Sequence, residues 1–154
     1  MVIYSGIFNV AATVEDAASL RWLLITTREA SIKRHAQDIE ASALAGAAQL
    51  ERGFSLYRDT CVMCHTPVGR TPTSMAIGLN PQAPGFIEID MGAAELFWAV
   101  KNGIRFTDMP AGGPSRSDQE LWDMIAFIQV LPKMSAADYD SLDRRIPPGP
   151  EPQK

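Results

Sequence analysis

Apolar residues recur at helical spacing along most of this chain, and no stretch alternates apolar with polar residues as a half-buried strand would. Residues 17–36 contain no Gly or Pro, and Leu20, Leu23, Leu24 and Ile32 can share one face while Arg21, Arg28, Lys33 and Arg34 meet water. Thr13, with Asp16 three residues on, resembles a start for this helix. A second helix is predicted over residues 42–60, with Leu50, Phe54 and Tyr57 on one side. Gly53 inside it costs about 1 kcal/mol relative to Ala, which suggests close approach of another backbone. Leu96, Phe97 and Val100 mark a short helix over 93–102, stopped by Gly103. Ser117 and Glu120 form a capping-box pair ahead of Leu121, Met124, Ile125, Ile128 and Leu131, and Pro132 ends that run. Ser135 with Asp138 predicts one more short helix, followed by a mobile Pro-rich tail. Between these elements, residues 66–92 are rich in Pro and Gly and a second irregular stretch runs from 104 to 116. The expected class is all-α.

Residues 1–14 carry no charge, yet they are too few for a membrane-spanning helix of about 20 residues and lack the basic start of a signal peptide. Two readings stay open: the outer end of a membrane anchor, or an apolar arm that packs on the domain. With 154 residues, 46% of them hydrophobic, the chain has material for one core, not two. The expected organisation is an N-terminal arm and helix over 1–45, a central domain over 46–133, and a short helix with tail over 134–154. The net charge is −4 and Lys and Arg are nowhere clustered, which excludes nucleic acid as an expected partner.

Both cysteines, Cys61 and Cys64, lie in one motif, CVMCH, at the end of the second predicted helix. C-x-x-C-H is the pattern for attaching a c-type haem. Two thiols three residues apart on a helical turn point the same way and can each add to one haem vinyl group, while His65 is carried beneath the iron as an axial ligand. A thioredoxin-like redox pair needs a βαβ context that the sequence lacks, and a zinc site lacks further ligands at finger spacing, His35 being the only other histidine. The sixth iron position decides between electron transfer and ligand chemistry. Met109 is the candidate, in the turn-rich segment FTDMPAGGP, where Pro110 and the glycines keep the backbone out of a helix. Met75 and Met91 compete from the loops, whereas Met1 is terminal, Met63 lies between the cysteines, Met124 falls at core spacing and Met134 follows a helix end. His35, in the polar stretch KRHAQ, reads as a solvated histidine. Trp98 and Trp122 suit either core packing or the edge of the macrocycle, and Arg105, Lys101 and Arg70 are cations that can pair with haem propionates.

CVMCH preceded by GFSLYRDT, then VKNGIRFTDMPA, then ELWDMIAFIQVL, resembles a class I c-type cytochrome with His/Met ligation. The resemblance implies a small monohaem cytochrome c fold with an additional N-terminal helical segment. In it Gly53 and Tyr57 stand at the crossing of the first and last core helices, facing Ala126 and Phe127. Cys61, Cys64 and His65 match the attachment motif and Met109 the sixth ligand, with one covalent haem c as cofactor. Ala-Pro-Gly-Phe at 83–86 is similar to the family's G-P-N-L loop, which implies that the Pro84 carbonyl accepts the His65 ring N–H. The segments FNVAAT, LRWLL and IKRHAQDIEA are similar to the corresponding region of bacterial monohaem cytochromes with an N-terminal membrane anchor. The expectation is a one-electron carrier rather than an enzyme, with a monomeric haem domain in the periplasm or on the membrane face, meeting redox protein partners through small transient interfaces. Its rivals are a haem sensor with a labile Met109 and a haem subunit of a larger oxidoreductase.

Overall fold

The computed structural model describes residues 4–42, 46–85 and 89–147. Six α-helices and no strands occur among them: α1 (Ala18–Ala36), α2 (Gly46–Thr60), α3 (Ser74–Gly78), α4 (Ala93–Asn102), α5 (Asp118–Val130) and α6 (Ala136–Arg145). The fold class is therefore all-α, as the periodicity predicts. A 3-10 turn, Leu131–Lys133, carries the chain past Pro132 before it leaves helical geometry.

Capping chemistry explains where the later helices begin. The Ser117 hydroxyl oxygen accepts the Glu120 N–H and the Glu120 carboxylate accepts the Ser117 N–H; Ser135 and Asp138 repeat the device for α6. Both carboxylates are held below their usual range by these hydrogen bonds from serine. At α1 the outcome differs. The helix starts after Ala17, with no side-chain cap, so Thr13 and Asp16 stand outside it. Helix α2 begins at Gly46 rather than at 42, and residues 43–45 lie outside the described set. Helix α3 has no counterpart in the periodicity reading, because five residues are too few to show a period.

The core sits where α2 crosses α5. A Cβ on Gly53 would run into the Asp123 carbonyl and come within 3.0 Å of Phe127 Cβ, so only glycine lets the two backbones approach this closely. Asp123 and Phe127 are one turn apart on a single face of α5, and they form the crossing where Ala126 and Phe127 were expected. Around this point Phe54 meets Phe127 and Tyr139 edge to face, with ring centroids 5.3 and 5.4 Å apart, and Tyr57 lies 5.1 Å from Phe127. Tyr139 brings α6 into the same cluster.

Beside the crossing, Asp123 is buried but fully engaged. It accepts from Arg52 Nε at 2.7 Å and Gln119 Nε2 at 3.0 Å, and from Gln49. Burial pushes its pKa up, yet these hydrogen bonds and the Arg52 charge outweigh burial and hold it below the usual carboxylate range.

Helix α1 lies on α4 through its C-terminal half, where Ile32 and Ala36 are buried and His35 stacks on Trp98 at 5.3 Å. In its first half Leu20, Leu24 and Ile25 are half-buried while Trp22 and Leu23 are exposed, so Leu23 leaves the face predicted for it. In the described part of the arm Tyr4, Ile7, Phe8 and Val10 are exposed, and the Val14 carbonyl accepts a hydrogen bond from Asn80 Nδ2 at 3.0 Å. No helix among the described residues is long and apolar enough to cross a membrane. The tail over 148–154 lies outside the described residues.

Candidate functional site

Helical hydrogen bonding runs past the end of α2 into the cysteine motif. Cys61 N–H donates to the Tyr57 carbonyl at 2.7 Å, and the Cys64 and His65 N–H groups donate to the Cys61 carbonyl at 3.1 and 2.8 Å. The motif is thus one further turn of backbone continuing a helix of the core. Cys61 and Cys64 are half-buried and carry free thiols. Burial pushes the Cys61 thiol up to about 12; the Arg116 charge opposes this and Cys64 adds to it. Such a thiol stays protonated near neutral pH, the reverse of the low-pKa nucleophile that a thioredoxin-like pair requires. Among the described residues no cluster of three His, Cys, Asp or Glu is placed to hold a metal ion.

His65 Nδ1 lies 2.9 Å from the Pro84 carbonyl oxygen. A carbonyl only accepts, so Nδ1 carries the proton and donates, and Nε2 is the ring atom that would coordinate iron. Burial lowers the His65 pKa, with the Pro84 hydrogen bond opposing it, and favours the neutral imidazole that metal ligation needs. Pro84 and Gly85 are described; Phe86, the last residue of the Ala-Pro-Gly-Phe segment, is not. On the other side of the motif, the Thr73 hydroxyl donates to the Met63 carbonyl while its oxygen accepts the Ala76 N–H. One hydroxyl therefore caps α3 and fastens it to the turn between the cysteines.

The loop carrying Met109 takes its shape from the glycine that ends α4. Gly103 has φ +69° and ψ −179°, a region essentially closed to residues with a Cβ. A Cβ there would also meet Ala111 N at 2.7 Å and the Met109 carbonyl oxygen at 2.8 Å. The Ile104 N–H donates to the Met109 carbonyl at 3.1 Å, closing the loop at its base, and the Met109 N–H donates to Thr107 Oγ1. Gly112 and Gly113 donate to the Val100 and Lys101 carbonyls, stitching the loop to the end of α4. Met109 is half-buried and stands apart from the core cluster, whereas Met124 is in the core and Met91 and Met134 pack against it. Met63 and Met75 are exposed. Met1 lies outside the described residues.

The remaining candidates divide. Trp98 stacks on His35, and Trp122 stacks on Phe97 at 4.2 Å, so the contacts of both rings lie in helix packing. His35 is exposed, and its Nδ1 lies 2.8 Å from the Ser31 carbonyl. Lys101 Nζ is held by Asp118 at 2.7 Å, and Arg70 pairs with Asp140 at 2.8 Å and Asp143 at 3.2 Å. Of the three cations that can pair with haem propionates, these two already have carboxylates, while Arg105 is exposed and has no such partner among the described residues. Two further arginines escaped sequence reading. Arg58 grips α6 through Asp143 and the Ile146 and Pro147 carbonyls, and Arg116 donates to Thr60 Oγ1 at 2.7 Å beside Cys61. Their only sequence signals are position, three residues before the motif and one before the Ser117 cap.

These residues fit a covalent haem. Two unbridged thiols sit beside a histidine whose Nδ1 is committed to a carbonyl; Met63 of the motif, Met75 and Ile77 of the α3 tied to it, and Phe106 of the Met109 loop are exposed. Beyond residue 23, these four are the large apolar side chains that the described chain leaves exposed. An apolar macrocycle attached at Cys61 and Cys64 supplies a cover for such side chains.

No curated protein matches the chain. The family model described as cytochrome C oxidase, cbb3-type, subunit III matches residues 48–128, a span that holds nearly all of α2, the attachment motif, the Met109 loop and nearly all of α5. Since that match covers more than half of the chain and the fold is all-helical around a C-x-x-C-H turn, the chain belongs to this family of c-type cytochrome domains, whose work is haem-based electron transfer.

Proposed function

We propose that the chain is a one-electron carrier holding a single haem c through Cys61 and Cys64, with His65 and Met109 as axial ligands. The bound haem supplies a reversible one-electron iron couple. The observation that carries the reading is the hydrogen bond from His65 Nδ1 to the Pro84 carbonyl, the contact that fixes the tautomer and plane of an axial histidine. Each thiol adds its S–H across a vinyl double bond, so attachment needs no oxidant. The Gly103 turn and the hydrogen bonds of Thr107 hold Met109 in a loop stitched to α4, so the ligand keeps its position in both oxidation states and little reorganisation accompanies transfer.

Haem attachment in class I cytochromes takes place outside the cytoplasmic membrane, and we assign the chain to the periplasm, working as a monomeric haem domain between redox proteins. The test is an absorption spectrum of oxidised and dithionite-reduced protein. Sharp reduced c-type bands and a near-infrared sulfur-to-iron band are expected. In Met109→Ala the infrared band should vanish and the potential should fall by an appreciable part of the roughly 0.8 V that axial ligands span. An unchanged Met109→Ala spectrum would remove Met109 as the ligand. A parent protein that lacks the infrared band and binds carbon monoxide would instead be a sensor.

One observation favours a second reading, a haem subunit within a larger oxidoreductase. The matched family is named for an oxidase subunit, and the first half of α1 exposes Trp22 and Leu23. Copurification of a stoichiometric redox partner from the native membrane supports it; a monomer that exchanges electrons with soluble partners does not.

A further inference from the structure

Phe106 is out of place by every internal criterion. It occupies the third position of a turn closed by the Thr107 N–H and the Ile104 carbonyl at 3.3 Å, and its φ is +63°, in the left-handed region. That position suits Gly or Asn, and a bulky side chain there costs about 1–2 kcal/mol. Packing does not compensate, because the residue is 74% exposed. A ring held in an unfavourable conformation that touches little of its own chain has its contact elsewhere.

Its place in the molecule says where. The turn is the outer part of the loop whose base joins Ile104 to Met109, so Phe106 stands three residues from the proposed sixth ligand. The other large apolar side chains exposed beyond residue 23 among the described residues, Met63, Met75 and Ile77, lie in the attachment turn and in α3, which Thr73 ties to that turn. We infer that Phe106 is a haem-contacting residue: its ring lies against the macrocycle on the Met109 side and closes that side to water and to external ligands. This rests on the reading of the chain as a His65/Met109 haem protein. The left-handed turn then has a use, since it turns the side chain out of the loop and toward the bound group.

The test uses the haem-loaded protein. The pyridine haemochrome and the near-infrared band are recorded first, so that absence of either marks failure of the haem or ligand assignment and not of Phe106. Imidazole is then titrated against the oxidised form of the parent, Phe106→Asn and Phe106→Tyr. Asn retains the left-handed turn and removes the ring, whereas Tyr keeps it. Imidazole is expected to bind about tenfold more tightly to Phe106→Asn, which is about 1.4 kcal/mol, and to Phe106→Tyr as to the parent. A second measurement needs no variant: proton NMR of the reduced parent, in which the Phe106 ring resonances should carry large haem ring-current shifts. Unshifted ring resonances, or equal imidazole affinities with the infrared band intact, overturn the inference. If Phe106→Asn slows only the reaction with an aromatic oxidant such as tris(phenanthroline)cobalt(III), Phe106 belongs to a partner-facing surface and the haem contact is likewise overturned.

Discussion

Where α2 crosses α5, Phe54, Tyr57 and Phe127 have no exposed surface at all, while the segments that carry the haem motif leave Met63, Met75, Ile77 and Phe106 more than half exposed. Both regions are apolar and both depend on glycine, yet only the crossing satisfies itself. Its apolar side chains find one another, and its one buried carboxylate finds Arg52, Gln119 and Gln49. The site segments fasten their backbone through Thr73, Thr107 and Gly103 but expose large apolar side chains. A chain builds such a surface when something other than the chain completes it.

The largest break in this contrast is Gly53→Ala. Alanine favours a helix interior by about 1 kcal/mol over glycine, so a gain is expected if the crossing has slack. The added Cβ instead meets the Asp123 backbone, which cannot rotate away as a side chain can. A net loss of about 3 kcal/mol is expected in urea unfolding of the haem-loaded protein. A neutral or stabilising outcome would show that the helices can part at no cost.

Gly103→Ala is the counterpart at the site. It places a Cβ in a conformation that only glycine adopts readily and against the Met109 and Ala111 backbone, for an expected loss of about 2 kcal/mol. Here the spectrum matters more than the stability. The near-infrared band should weaken because the loop that presents Met109 must shift, whereas Gly53→Ala should leave that band in whatever fraction remains folded. If Gly103→Ala loses stability with an unaltered band, the loop does not position the ligand.

Asp123→Asn probes how the crossing tolerates a charge. The folded-state pKa of Asp123 is depressed, so the folded protein binds fewer protons there than the unfolded chain does. Its contribution is therefore complete above the unfolded value of about 3.9 and is lost as pH falls from there through the folded value. The expected result is a loss of about 1–2 kcal/mol at neutral pH, discounted because Arg52 faces water, and a flatter decline of stability in acid than the parent shows. Parallel acid profiles for the two proteins would mean that the carboxylate is not ionised in the crossing.

Much of this was legible in the sequence because the signals are local. Ser117 with Glu120, Ser135 with Asp138, and Gly103 after Asn102 each fix a helix end through atoms three or four residues apart, and the cysteine motif is a single turn. Gly53 announces a close approach without naming the partner. The rest depends on distance in the chain. Arg70 reads as a cation for a propionate until Asp140 and Asp143, some 70 residues later, are seen to hold it. Asp123 sits among core positions of α5 with nothing nearby to show that Arg52 would reach it. The arm over 4–14 has the composition of a packed segment, and composition carries no information about what it packs on.

Trp22→Ser separates exposure that marks a site from exposure that does not. Trp22 is 66% exposed, close to Phe106 in that respect, but it sits in regular helix and far along α1 from the Ile32, Ala36 and His35 contacts with α4. The free chain has little packing to lose there, so the expected change in stability is within about 0.5 kcal/mol. The near-infrared band and the imidazole affinity should match the parent, in contrast to Phe106→Asn. If Trp22→Ser instead moves the imidazole affinity, α1 reaches the haem through α4 and Trp98, and exposure alone no longer distinguishes the two halves of the molecule. Should it leave all three readouts unchanged while abolishing copurification with a redox partner, Trp22 belongs to an interface, and the exposed half of α1 differs from the site only in what covers it.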